Sequence, residues 1–254
     1  MIPEIPWYIT FIVIGTSLAV AVAIWRILSA ATGRSGLSPV AQRRVRTGAA
    51  LFVGAWFGAA LLLAPSPASL LGRDRSFLTP IIPILDAVSI TIALLTIWRS
   101  SSLRRVIAAI PLPTLHALQV FRVIGAVFLI LLAQGQVPAH FALPAGWGDV
   151  AVGLTAPLVA LALARSAGGA RPLAISWNVV GLLDLFVAVG MGTGFLAPIL
   201  LGMRVQPTAA MGVFPMIMVP TFAVPMSMLL HLIALSALSR DVQVGTRLVP
   251  TPAR

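Results

Sequence analysis

The sequence contains neither cysteine nor lysine, and only 6 of its 254 residues are acidic. The missing cysteine excludes disulfides, thiolate metal sites and cysteine nucleophiles, and the missing lysine excludes Schiff-base chemistry. Charged residues make up 9% of the chain, against about 25% in a typical soluble domain. Because 59% of the residues are hydrophobic and the mean hydropathy is +1.04, the composition predicts an all-α protein that spans a lipid bilayer.

Histidine is also scarce. The three histidines are far apart in the sequence and show no His-x-x-x-His or Glu-x-x-His spacing, so neither a metal site nor any cofactor is predicted. The formal net charge of +11 would suggest a nucleic-acid partner in a soluble protein. Here membrane topology accounts for the basic residues, and the predicted partner is the bilayer rather than nucleic acid.

Seven apolar segments are each about as long as the roughly 20-residue helix that crosses the hydrocarbon core of a bilayer. They lie near residues 7–27, 47–65, 79–98, 115–135, 149–165, 174–195 and 219–238. No linker or second globular region is visible between them. We therefore predict one transmembrane domain over residues 1–254, a bundle of about seven helices in which residues 239–254 form a short tail.

The arginines predict the orientation of this bundle, because positively charged loops stay in the cytoplasm. Three arginines occupy one set of loops, one lies within a span, and the other 13 occupy the alternate loops and the tail. The 13 are Arg26, Arg34, Arg43, Arg44, Arg46, Arg99, Arg104, Arg105, Arg165, Arg171, Arg240, Arg247 and Arg254; the three are Arg73, Arg75 and Arg204. The pattern indicates an N-terminus outside and a C-terminus in the cytoplasm, in a bacterial plasma (inner) membrane.

Four ionisable residues fall inside the predicted spans, where an unpaired charge costs at least about 2.5–3.5 kcal/mol. They are Asp86, Arg122, Asp184 and His231. We predict that they form a binding site for a proton, a cation or a small solute, with Arg122 as the counter-charge of the aspartates. Two alternatives stay open: Arg122 snorkels to the headgroups if its helix begins near Leu118, and His231 only hydrogen-bonds within the bundle.

Prolines recur every five residues where the last span begins, at Pro215, Pro220 and Pro225. Each removes a backbone donor, so a regular helix through this stretch is not expected. Either the span begins near Thr221, or residues 209–220 form a broken or re-entrant segment that lines a cavity.

The tetrapeptide Gly146-Trp147-Gly148-Asp149 resembles the Gly-x-Gly-Asp motif of the intramembrane aspartyl proteases, the group of presenilin, signal-peptide peptidase and prepilin peptidase. The resemblance implies that Asp149 activates water together with a second membrane carboxylate, which would be Asp184 or Asp86. The alternative is structural. In that interpretation the glycines form a turn and Asp149 caps the helix that begins there.

These features lead to three functional hypotheses. The first is a carrier of a small solute or an ion, driven by protons in one version, that uses the intramembrane Asp, Arg and His side chains. The second is a non-catalytic membrane scaffold or sensor subunit that binds partners through its helices. The third is a membrane-embedded hydrolase built on Asp149.

Overall fold

The computed structural model describes residues 5–63 and 81–247, with side chains up to residue 239. Within these ranges every regular element is a helix, and there is no strand. Seven stretches are long and apolar enough to cross a membrane, as the hydropathy pattern predicts. Arg73, Arg75, Arg254 and the predicted start of the third span at 79 lie outside the described residues.

The first four helices are α1 (Trp7–Thr32), α2 (Pro39–Leu62), α3 (Ile82–Arg99) and the short α4 (Ser101–Ala108). The fourth span, Leu112–Ala133, consists of α5 (Leu112–Leu118), a 3₁₀ segment (Gln119–Gly125) and α6 (Ala126–Ala133). It is followed by α7 (Ala139–Ala164), α8 (Ala170–Gly192) and the five-residue α9 (Ala197–Leu201). A 3₁₀ turn (Ala209–Gly212) and a π-helical turn (Val219–Ala223) lead into α10 (Val224–Arg247).

Helix α2 begins at Pro39, eight residues before the predicted start at 47. The Ser38 hydroxyl accepts a hydrogen bond from the Ala41 amide, and Pro39 occupies the first helical position, where its missing N–H costs nothing. The prediction of a loop through this stretch is therefore wrong. A helix does not end where the lipid ends, so arginines that leave the hydrocarbon can still be helical.

Helix α7 begins at Ala139 rather than at 149, and it contains Pro144 and Pro157. Asp149 therefore lies in the interior of the helix, and the interpretation of Asp149 as a helix cap is wrong. Glycine and proline indicate turns in water, but inside a membrane the backbone must satisfy its own hydrogen bonds, and a helix continues through them.

The prolines of the last span leave two alternatives, a span that begins near Thr221 or a broken segment over residues 209–220. The structure agrees in part with each. The helical part of the span begins at Val219 as a π-helical turn that carries Pro220, and α10 continues from Val224. The residues between the 3₁₀ turn and this span, from Val213 to Ile217, are irregular and almost all buried. Irregular backbone is tolerated at such a place because protein rather than lipid surrounds it.

The packing is uneven around the bundle. Helix α7 makes its most extensive contacts with the Leu112–Ala133 span and with α8, and α8 also packs against α10. Helices α2 and α3 are largely exposed, and their outward side chains are apolar, as at Leu51 and Ile84. Exposed apolar helices of this kind suit a lipid environment. The polar side chains discussed below lie among the four well-packed elements.

Candidate functional site

A row of polar side chains runs along the fourth span at His116, Gln119 and Arg122. Each of the three is only 1% exposed. The 3₁₀ geometry of Gln119–Gly125 explains the row, because three residues make one turn and side chains at i and i+3 stand in line. The segment therefore directs its polar face into the protein, towards α7, α8 and α10.

Arg122 is the centre of a buried ion-pair cluster. Its Nε donates to Oδ1 of Asp149 on α7 at 2.7 Å, and its Nη2 donates to Oδ2 of Asp184 on α8. Nη1 donates to the Gly181 carbonyl and to Nε2 of His231, both at 3.2 Å. All three guanidinium nitrogens are thus engaged, which a single lysine ammonium could not reproduce. Arg122 does not snorkel, and it pairs with the aspartates instead.

A chain of hydrogen bonds continues from Arg122 across the bundle. Because Arg122 can only donate, Nε2 of His231 accepts, and Nδ1 of His231 carries the proton that is donated to Oδ1 of Asn178 at 2.8 Å. The Asn178 amide nitrogen donates to Nε2 of His116 at 2.9 Å, and Nδ1 of His116 donates to the Leu112 carbonyl at 2.7 Å. Both histidines are therefore satisfied as neutral rings, and every bond in the chain points the same way.

A second link joins the fourth span to α10. The Gln119 side-chain amide donates to the Ser227 carbonyl at 3.1 Å, and the Ser227 hydroxyl donates to Oε1 of Gln119 at 2.8 Å. Both side chains are about 1% exposed. This reciprocal pair fixes the depth of α10 against the 3₁₀ segment, and so it positions His231 one helical turn further along.

Three glycines make room for the three side chains that bond to Arg122. A methyl group added at Gly125 would overlap the Asp149 side chain, and one added at Gly148 would overlap the Asp184 carboxylate. One added at Gly181 would lie 2.5 Å from Cε1 of His231. The Gly-x-Gly-Asp tetrapeptide thus has a packing role here, because its second glycine accommodates a carboxylate from the neighbouring helix.

The cluster carries two carboxylates for one guanidinium. Its formal charge is −1 when both histidines are neutral, and it lies near the middle of four membrane spans. The side chains of Asp149 and Asp184 are 8% and 13% exposed, so Asp184 is the more accessible of the two. A small pocket of about 30 Å³ borders Asp149 and is otherwise lined mainly by apolar side chains such as Phe128 and Phe141. That volume is about the size of one water molecule.

Asp86, the fourth predicted site residue, lies apart from the cluster. It is on α3, which packs against α10 and α4, and it is 5% exposed. Neither of its carboxylate oxygens has a hydrogen-bond partner among the described residues. The structure brings Arg122, Asp184 and His231 together, adds Asp149, and leaves Asp86 outside. In the described ranges no group of three His, Asp or Glu side chains could hold a metal ion.

Sequence reasoning missed Asn178 and Ser227. A signal for Asn178 exists, since it is the only amide side chain within the apolar stretch of α8 and is two turns from Asp184. Nothing comparable points to Ser227, because serine is common in membrane helices and often bonds only to its own backbone.

The chain matches a protein-family model over more than half of its length. Residues 79–239 match the model of a family described as "Domain of unknown function (DUF8737)", and the chain belongs to this family. The match contains every residue of the buried cluster and excludes α1 and α2. No curated protein and no solved structure matches the chain.

Proposed function

We propose that this multi-pass membrane protein is a carrier that couples the movement of a small solute to a proton or another monovalent cation. The observation that supports the proposal is the buried cluster of two carboxylates and one guanidinium at mid-membrane depth. Such a cluster lacks one positive charge, and a low-dielectric interior makes an uncompensated charge expensive. A bound proton or small cation supplies that charge.

The position of Asp184 favours it as the residue that takes up the cation. It is the more exposed carboxylate, and it touches Arg122 through one oxygen. Cation uptake there weakens its hold on Arg122, while the Asp149 pair remains. Because Arg122 also bonds to Gly181 and His231, a change at this one carboxylate alters contacts among four spans. This is how charge neutralisation in a carrier can shift helices between two arrangements.

The ion pairs argue against the hydrolase hypothesis. Two catalytic aspartates share a proton and hold a water molecule between them, so their facing oxygens must be free. Here the guanidinium of Arg122 lies between Asp149 and Asp184 and occupies one oxygen of each. An arginine in that position stands where the water would have to be.

Asp184→Asn tests the carrier function. Purified protein is reconstituted into liposomes that contain a pH-sensitive dye, and proton movement is recorded on addition of a panel of sugars, amino acids, organic acids and amines. We expect at least one solute to drive proton movement in the wild type, and we expect a loss of at least tenfold in Asp184→Asn. Substitution of sodium for protons as the driving ion distinguishes the two cations.

Two controls separate coupling from folding. Asp86→Asn neutralises a membrane aspartate outside the cluster and should leave coupled flux unchanged. Asp184→Asn should fold normally, because the amide oxygen still accepts from Arg122 and the cluster becomes neutral. If the wild type moves neither protons nor sodium with any solute in the panel, or if Asp184→Asn transports normally, the proposal is wrong.

The arginine distribution supports an orientation with the N-terminus outside, in the plasma membrane of a bacterial cell. Because the chain has no cysteine, single-cysteine variants report accessibility without background. In intact spheroplasts we expect a membrane-impermeant maleimide to label Gln206→Cys and not Ala167→Cys, which lies between α7 and α8. Labelling of the opposite pair would reverse the proposed orientation.

A further inference from the structure

A cavity among the described residues lies away from the ion-pair cluster. Its volume is about 480 Å³, within the range of about 300–1,000 Å³ that is typical of ligand pockets. It lies between α1, α2, α3, α4 and α10, and its walls are mostly apolar side chains such as Ile24, Phe52, Ile97 and Leu229. An apolar cavity in a membrane protein accommodates a hydrocarbon chain better than any polar solute.

The polar groups of this cavity are gathered at one end. Arg44, Ser100 and Ser102 line it near the start of α2, the end of α3 and the start of α4. Because successive spans alternate in direction, these three positions lie at the same end of the bundle. Trp56, whose indole donates to the Thr221 carbonyl at 3.0 Å, lines the other end. The cavity is therefore amphipathic along its length.

The polar end is at the level of the lipid headgroups. Trp98 is 67% exposed at the end of α3, where an indole ring prefers the membrane interface. The short helix α4 lies against α1, α2 and α3, buries Val106 and exposes Arg104 and Arg105. That pattern is typical of a helix that lies in the plane of the interface.

The charged residues that α2 and α4 contribute at this end are all arginines. The start of α2 contains Arg43, Arg44 and Arg46, and α4 contains Arg104 and Arg105. None of α1, α2 and α4 contains an acidic residue. Arg44 is exposed, and among the residues whose side chains are described it is the only arginine that lines the cavity. The complement of such a site is an anionic group attached to a long apolar chain.

We propose that this cavity binds an anionic glycerophospholipid, with an acyl chain between α1, α2 and α10 and the phosphate at Arg44. The site opens to the lipid along α2, where Arg44 and Gly48 are exposed. The apolar wall provides affinity for the chain, and Arg44 provides the preference for an anionic headgroup. The proposal does not depend on the carrier function, because no residue of the ion-pair cluster lines this cavity.

Native mass spectrometry of the full chain in detergent tests the proposal with two probes, phosphatidylglycerol and phosphatidylcholine that carry the same acyl chains. We expect one bound phosphatidylglycerol per chain and weaker retention of phosphatidylcholine. In Arg44→Gln the affinity for phosphatidylglycerol should fall about fivefold, the effect of one arginine at a membrane surface, and approach that for phosphatidylcholine. Arg43→Gln removes the same charge one residue away, outside the cavity, and should have little effect.

A second pair of variants tests whether the apolar part of the cavity binds the acyl chain of the lipid. A Cβ at Gly48 meets nothing within 4 Å and Gly48 lines the cavity, so Gly48→Phe can fold and should reduce retention of both lipids at least tenfold. Gly54→Phe adds the same ring to an equally open position outside the cavity and should retain both. The proposal is overturned if Arg44→Gln and Arg43→Gln lose lipid affinity equally, or if Gly48→Phe and Gly54→Phe do. It is also overturned if Gly48→Phe retains lipid, or if the protein is a dimer that holds no lipid.

Discussion

Arg122→Met is expected to lower the free energy of unfolding by about 3–5 kcal/mol, the usual cost of removing one partner from a buried ion pair. The substitution keeps most of the side-chain volume but leaves Asp149 and Asp184 without their shared cation at mid-membrane depth. It also removes the donor to His231 and the Gly181 carbonyl. Equilibrium unfolding of the purified protein in mixed micelles measures the loss.

The control for this prediction separates lost packing from unpaired charge. In the background of Arg122→Met, replacing both Asp149 and Asp184 by asparagine should recover a large part of the stability, because no charge then remains unpaired. Arg43→Met removes an exposed arginine and should change little. If the triple variant is as unstable as Arg122→Met alone, the cluster contributes through shape rather than through charge, and its missing positive charge gives no reason to bind a cation.

Arg122→Lys should restore only part of the stability. A lysine ammonium is a point charge with three donors at one atom, whereas the guanidinium of Arg122 directs separate nitrogens at Asp149, Asp184 and His231. An ammonium can contact one carboxylate well, or two poorly. Stability between those of the wild type and Arg122→Met is therefore expected, and full recovery would show that geometry is unimportant here.

The membrane spans could be predicted from the sequence because the bilayer imposes one length and one composition on every crossing helix. The helix ends could not. Helix α2 extends back to Pro39 and α7 to Ala139, and in both cases residues that favour turns in water are helical. Hydropathy shows which residues are apolar, whereas backbone hydrogen bonding determines which residues are helical.

The candidate site could be predicted from the sequence only in part. A charge in hydrocarbon requires a partner, which predicts that Asp86, Arg122, Asp184 and His231 share a cluster. Three of the four do so, and Asp86 does not. The rotation of each helix about its own axis decides the rest, and one sequence does not contain that information. Asp149 is rotated towards Arg122, and Asp86 is not. The Gly-x-Gly-Asp resemblance drew attention to Asp149, although its glycines accommodate neighbouring side chains rather than a peptide substrate.

The glycines carry the second large prediction. Gly148→Ala is expected to destabilise the protein by about 2–4 kcal/mol, although alanine is the better helix former, because its methyl group would occupy the position of the Asp184 carboxylate. Either Asp184 leaves Arg122, or α7 and α8 separate. The same measurement in mixed micelles applies. Gly54→Ala, on exposed α2 with nothing within 4 Å of the new methyl group, should instead stabilise by about 0.5–1 kcal/mol.

The stability changes expected for Gly148→Ala and Gly54→Ala have opposite signs, which separates a steric clash at Gly148 from the higher helix propensity of alanine. A double-mutant cycle then identifies the side chain with which the new methyl group clashes. If the clash lies with Asp184, then shortening that side chain in Asp184→Ala should cost less in the Gly148→Ala background than in the wild type, because the carboxylate is already displaced there. Additive effects would mean that the methyl group is tolerated beside an intact Arg122–Asp184 pair. In that case glycine at 148 would not be needed to accommodate the carboxylate, and the close approach of α7 and α8 would require another cause.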